Sequence, residues 1–189
     1  MNKFFLFFCS LCFLLIIPLT TAQAGTVVID QTQPIVDDAV GGLAIGGASE
    51  QILAQTVTAG LDGILQGVFL PVACQSGKLV IEIVALNGDE PGNVVLRRKQ
   101  IPASRVANIG PLFQYFKMGG HLTLATGDRF AIVLSNPLGS CGIFRSPEGD
   151  FYTGGEGFFD ARPNAPGWVP FSETETRLDL PFSVLVKIP

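Results

Sequence analysis

The chain has 189 residues, with 12 basic and 16 acidic side chains and a formal charge of −4. That mild acidity argues against nucleic acid and anionic lipid as partners, because both are held by clustered Lys and Arg. A single histidine in the whole chain also excludes a histidine-built zinc centre, since catalytic zinc takes three protein ligands with His prominent among them.

Residues 1 to 24, "MNKFFLFFCSLCFLLIIPLTTAQA", begin with one basic residue, Lys3, continue through an apolar block from Phe4 to Ile17, and end in Ala22-Gln23-Ala24. This is the pattern of a secretory signal peptide. Its apolar block falls short of the roughly 20 clearly hydrophobic residues of a membrane span, and no later segment is long enough, so the mature chain is expected to lack one. Cys9 lies inside the hydrophobic block rather than after it, which argues against lipoprotein acylation. Removing 24 of 189 residues leaves 165 and, with Lys3 gone, a charge of −5. No linker divides residues 25–189, which are read as one domain with its own core. The expected location is extracytoplasmic: periplasm, cell surface or medium.

Strands are expected from the start of the mature chain, the first at about 26 to 30. The nearest candidate for a helix, "VDDAVGGLAIGGASEQIL", is interrupted by two Gly-Gly pairs, each costly in a helix interior. Further strands fit at 54 to 58 and 63 to 72. In "KLVIEIVAL" (78 to 86), Leu79, Ile81, Ile83 and Ala85 share one face and Glu82 stands among apolar neighbours on the other, which reads as a strand buried on at least one side. Segments 93 to 101, 111 to 118, 128 to 135, 142 to 145, 157 to 161, 168 to 171 and 180 to 188 complete the set. Arg97-Arg98-Lys99 falls in one of these strands, where it reads as a solvated sheet edge.

Turn signals separate them: "QSG" (75 to 77), "NGDEPGN" (87 to 93), "MGG" (118 to 120) and "SNPLGS" (135 to 140). Short strands punctuated in this way predict an all-β fold, an antiparallel β-sandwich of jelly-roll type. Parallel α/β folds are excluded because crossover helices are missing. "NGDEPGN" is read as a hairpin turn, with Gly88 and Gly92 at positive φ and Pro91 fixing the bend. It lacks the alternating carboxylates of an EF-hand type calcium loop. Two cysteines survive signal removal, Cys74 and Cys141. In an oxidising compartment such a pair forms a disulfide, which over a loop of this length contributes about 4 kcal/mol in the chain-entropy model.

The succession "QTVTAG" (55 to 60), "GILQGVFLPVA" (63 to 73), "GKLVIEIVAL" (77 to 86), "GDEPGNVVL" (88 to 96), "IPAS" (101 to 104), "LATGDRFAIVLS" (124 to 135) and "FYTGGEGFF" with a downstream Trp resembles the bacterial exported modules called choice-of-anchor R domains. The likeness spans most of residues 50 to 188 and rests on glycine and aromatic punctuation. It implies a galactose-binding-like β-sandwich on a secreted or surface protein, without established catalytic activity. The sequence departs from that pattern in running directly from its last strand to residue 189, so by this reading no sorting or anchoring tail is expected.

Catalytic constellations are thin. A Ser-His-Asp or Cys-His device would have to use His121 in "KMGGHLTL", and no G-x-S-x-G elbow accompanies it. Glycoside hydrolysis needs only two carboxylates, for which Glu148, Asp150, Glu156 and Asp160 are the candidates, against their reading as solvated loop acids.

Residues 149 to 171, "GDFYTGGEGFFDARPNAPGWVPF", hold three carboxylates, six aromatic rings and the chain's only tryptophan. One reading is a β-hairpin whose rings cap an end of the sandwich. The other stands Tyr152 and Trp168 exposed at the loop end, flanked by Asp150, Glu156 and Arg162, where aromatic faces stack on sugar C–H faces and polar groups bond hydroxyls. A calcium ion on Asp150, Glu156 and backbone carbonyls is conceivable but unsupported by spacing, and no cofactor or metal is expected. The expectation is a non-catalytic, extracytoplasmic binding or surface-associated module whose partner is a polysaccharide or cell-envelope component. Its rivals are a secreted glycosidase on two of the named carboxylates and an assembly protein whose strand edges pair with a partner.

Overall fold

A computed structural model describes residues 25–188 apart from 163 and 164; the signal peptide read at 1–24 lies outside the described residues. These form fourteen strands and no α-helix: β1 (Val27–Gln33), β2 (Leu43–Gly46), β3 (Ile52–Thr58), β4 (Gly63–Leu70), β5 (Val72–Cys74), β6 (Lys78–Asn87), β7 (Glu90–Pro102), β8 (Gln114–Lys117), β9 (Thr123–Leu124), β10 (Arg129–Ser135), β11 (Ser140–Ile143), β12 (Gly157–Ala161), β13 (Ala165–Pro170) and β14 (Phe182–Lys187). The chain is all-β, and every pairing between strands is antiparallel.

Three sheets result. One has the order β1-β14-β4-β8, with β9 also on β4; the second runs β13-β12-β3-β10-β6-β7; the third, β2-β11-β5, is small. Period-2 alternation explains how the first two share a core, because each strand sends every second side chain inward. The main hydrophobic cluster takes Leu65, Val68, Val184 and Val186 from the first sheet and Leu53, Val57, Ile81 and Ile132 from the second. Phe130, Phe171 and Phe182 are its largest fully buried side chains.

Strand β6 shows the physics at its clearest. Leu79, Ile81 and Ile83 enter the main cluster as the alternation predicts, while Val84 on the opposite face joins a second cluster with Ala54, Ala131, Val133 and Phe158. The outer face of the six-stranded sheet is therefore itself partly apolar. Strand β7 forms one edge of that sheet, so Arg97, Arg98 and Lys99 do lie on an edge strand, where such charges oppose edge-to-edge association.

Several boundaries differ from the sequence reading. The expected strand 63 to 72 is two strands, because Pro71 has no N–H for a ladder and the chain there passes from the first sheet to the third. Two strands went unread: β2, hidden between the Gly-Gly pairs, and the two-residue β9. "NGDEPGN" turns only at Gly88 and Asp89, since Glu90 already begins β7. Gly88 has φ 66° as expected, but Gly92 is not among the positive-φ glycines. Its requirement is close approach: a Cβ at Gly92 would sit 2.5 Å from the Ala85 carbonyl oxygen, where the β6–β7 register shifts.

Cys74 and Cys141 are directly opposed across β5 and β11 and form the expected disulfide, 67 residues apart in sequence. Among the described residues no helix is long and apolar enough to cross a membrane.

Candidate functional site

The register of the six-stranded sheet fixes which side chains share its outer face. Directly paired residues point the same way, so Pro170, Phe158, Ala54, Val133, Glu82 and Arg98 form one continuous row from β13 to β7. Thr56, Ala131 and Val84 form the next. The face thus has a floor of small and apolar side chains, bordered at each end by a hairpin that carries polar groups.

A groove of about 180 Å³ lies on this face. The β12–β13 hairpin contributes Trp168 and Arg162, β6 contributes Glu82, the start of β7 contributes Asn93, and β10 contributes Ser135. Trp168 is half-buried, its ring packed against the second hydrophobic cluster. A second hollow of about 440 Å³ on this face is lined by Phe158 together with Thr56, Thr58, Asp89, Arg129 and Glu156.

The charges on the face come in pairs. Arg162 donates through Nε and Nη2, both at 2.7 Å, to Oδ2 of Asp160, whose side chain is 0 % exposed while that of Arg162 is 53 % exposed. Among the described residues, Oδ1 of Asp160 has no hydrogen-bond partner. Arg98 Nε lies 3.3 Å from Glu82 Oε1, and Arg129 Nη1 donates to Asp89 Oδ1 at 2.7 Å. The arrangement offers an aromatic surface, guanidinium donors and a carboxylate acceptor around an apolar floor.

The residues singled out in the sequence do not converge on one place. Arg162 and Trp168 meet in the groove. Tyr152 does not join them: at 7 % exposure it belongs to the main core, edge-on to Phe182 at 5.0 Å. Its hydroxyl accepts from the Thr58 amide at 3.1 Å and donates to the Thr58 carbonyl at 3.3 Å. The expectation of an exposed Tyr152 is corrected for this reason: strand β3 satisfies the hydroxyl, which allows the ring to be buried. Burial raises the pKa of that phenol, opposed by the Thr58 hydrogen bond and reinforced by Asp30 and Asp179.

Asp150 is exposed in the loop before β12, and Phe151 beside it is the aromatic ring that reaches solvent there. Glu156 accepts the Ser172 amide through Oε1 at 2.7 Å and lines the neighbouring hollow rather than the groove. Glu148 lies 3.4 Å from Arg177. His121 is exposed just before β9, and its carbonyl accepts from Arg97. Among the described residues no group of three or more His, Cys, Asp or Glu is placed to hold a metal ion.

One structural anchor escaped the sequence reading. Asp179, 2 % exposed, accepts the amides of Phe151 and Tyr152 through Oδ2 at 2.9 and 3.0 Å, and the Gln55 side-chain amide through Oδ1 at 3.3 Å. Gln55 in turn accepts the Leu180 amide at 2.7 Å. This network ties the 149–152 loop to β3 and to the approach to β14. Burial pushes the Asp179 carboxyl from 3.8 up to about 6; the Phe151 and Tyr152 amides pull against it, the Asp150 charge adds to the rise, and Gln55 opposes it. The only sequence signal was a lone acid between leucines, Leu178-Asp179-Leu180. Glu82 had the clearer one, as the one charge inside an apolar strand.

Comparison with protein families, curated proteins and solved structures finds no match to this chain.

Proposed function

We propose that this chain is an extracytoplasmic, non-catalytic binding module of jelly-roll type, similar to choice-of-anchor R domains, whose ligand is carbohydrate and whose site is the groove beside Trp168. The observation that carries the reading is the sole tryptophan, half-buried at the rim of a hollow that also presents Arg162, Glu82 and Asn93. Sugar C–H faces stack on such a ring while hydroxyls bond the flanking donors and acceptors. The leader-like residues 1–24 and the Cys74–Cys141 bridge agree with an oxidising, exported setting. Binding is favoured over glycoside cleavage because Asp160 is paired with Arg162, Glu156 is held by the Ser172 amide and Glu148 meets Arg177. Among the described residues, these contacts occupy three of the four candidate carboxylates, and the fourth, Asp150, does not line the groove.

The test is intrinsic fluorescence of the purified protein during titration with polysaccharides and oligosaccharides, with and without calcium. A saturable change that disappears in Trp168→Phe, with folding preserved, supports the reading. A flat response across the panel rejects it.

A further inference from the structure

The charge pattern around the groove narrows the ligand further, on the assumption that the groove is the carbohydrate site. Three guanidiniums on the outer face, Arg162, Arg98 and Arg129, each carry a carboxylate of their own, Asp160, Glu82 and Asp89. The Asp160 pair is the tightest. Its carboxylate is 0 % exposed, so water cannot take over from Arg162, and a buried anion left without its partner is strongly unfavourable. Arg162 therefore remains tied to Asp160 through two of its donors while its exposed remainder lines the groove. It offers directed N–H groups without net charge.

We infer that the groove selects an uncharged sugar ring over an acidic one, with Asp160 as the positioning residue that aims Arg162 and neutralises it. An incoming uronate carboxylate would have to compete with Asp160 for Arg162 and with Glu82 for Arg98, since both guanidiniums already hold a carboxylate, and that competition penalises the wrong partner. Neutral hydroxyls meet neither penalty. They accept from Arg162 and donate to Glu82, while the ring stacks on Trp168. At about 180 Å³ the groove lies below the roughly 300–1,000 Å³ of pockets for drug-sized ligands, so it takes one ring of a chain.

The experiment titrates the purified protein with neutral oligosaccharides of glucose, galactose and mannose and with oligogalacturonate and alginate fragments, following Trp168 fluorescence. Neutral sugars are expected to bind about tenfold or more tightly than uronates, with an affinity that changes less than about twofold between low salt and about 0.5 M. Asp160→Asn leaves Arg162 uncompensated and reverses the order, so uronate binding rises by about tenfold and becomes salt-sensitive. A merely structural role for Asp160 would weaken both ligand classes together. Should Asp160→Asn fail to fold, the wild-type ranking and its salt response still decide. Wild-type preference for uronates, or neutral binding that collapses with salt, overturns the inference while leaving the carbohydrate reading in place. Silence toward every sugar overturns both.

Discussion

Asp179 sets a pH dependence whose sign separates two opposing forces. Burial favours its neutral form, while the Phe151, Tyr152 and Gln55 donors favour the carboxylate. With the folded carboxyl at about 6 and the ordinary value at 3.8, the native state keeps a proton that the unfolded chain releases between those values. The group's contribution is then complete below pH 3.8 and is lost as pH rises through about 6. Moving a carboxyl across that interval corresponds to about 3 kcal/mol. Asp179→Asn keeps the shape and cannot titrate, so wild-type stability minus variant stability should fall by about 2 kcal/mol from pH 4 to pH 7, the rest of the change lying below pH 4. Urea unfolding followed by far-ultraviolet circular dichroism at one-unit steps measures both curves, and subtraction removes the other titrating groups. A difference that rises with pH refutes the reasoning: it would mean that the three donors outweigh burial and that the folded carboxyl lies below 3.8.

Other outcomes can be checked on the same material. Replacing both Cys74 and Cys141 with Ser should lower unfolding stability by about 4 kcal/mol, read by the same denaturation and matched by reduction of the wild type. Tyr152→Phe removes a hydroxyl held between the Thr58 amide and carbonyl and should cost about 1 to 2 kcal/mol, with sugar titrations of Trp168 fluorescence unchanged because the ring lies in the core. Gly92→Ala forces a Cβ against the Ala85 carbonyl and should cost about 1 to 3 kcal/mol; a neutral result by thermal melting would mean that the β6–β7 bulge yields freely.

Much of the sheet architecture could be read from local chemistry. Leu79, Ile81 and Ile83 alternate because β6 has a core face, and the two remaining cysteines had one partner each. Arg97-Arg98-Lys99 marked an edge because an interior strand would have to bury those charges. What could not be read depends on partners distant in sequence. Tyr152 is drawn inward by Thr58 and Phe182, neither near it in the chain. Asp179 acquires its importance from Gln55 and from amides in another loop. β2 lacks any alternation strong enough to show through its glycines. For the groove, the hairpin that brings Arg162 beside Trp168 was visible as a turn, but Glu82, Asn93 and Ser135 arrive from strands whose order in the sheet no local pattern specifies.

The Cys74–Cys141 bridge divides the groove mechanically. Strands β6, β7 and β10, which supply Glu82, Asn93 and Ser135, lie wholly inside the covalent loop, whereas β12 and β13, with Arg162 and Trp168, lie outside it. With the bridge intact, tension between the chain ends bypasses residues 75–140 and is borne by the chain on either side of it. The wall that carries Trp168 therefore belongs to the extensible part of the chain, and the wall that carries Glu82, Asn93 and Ser135 to the part that the bridge shields from extension.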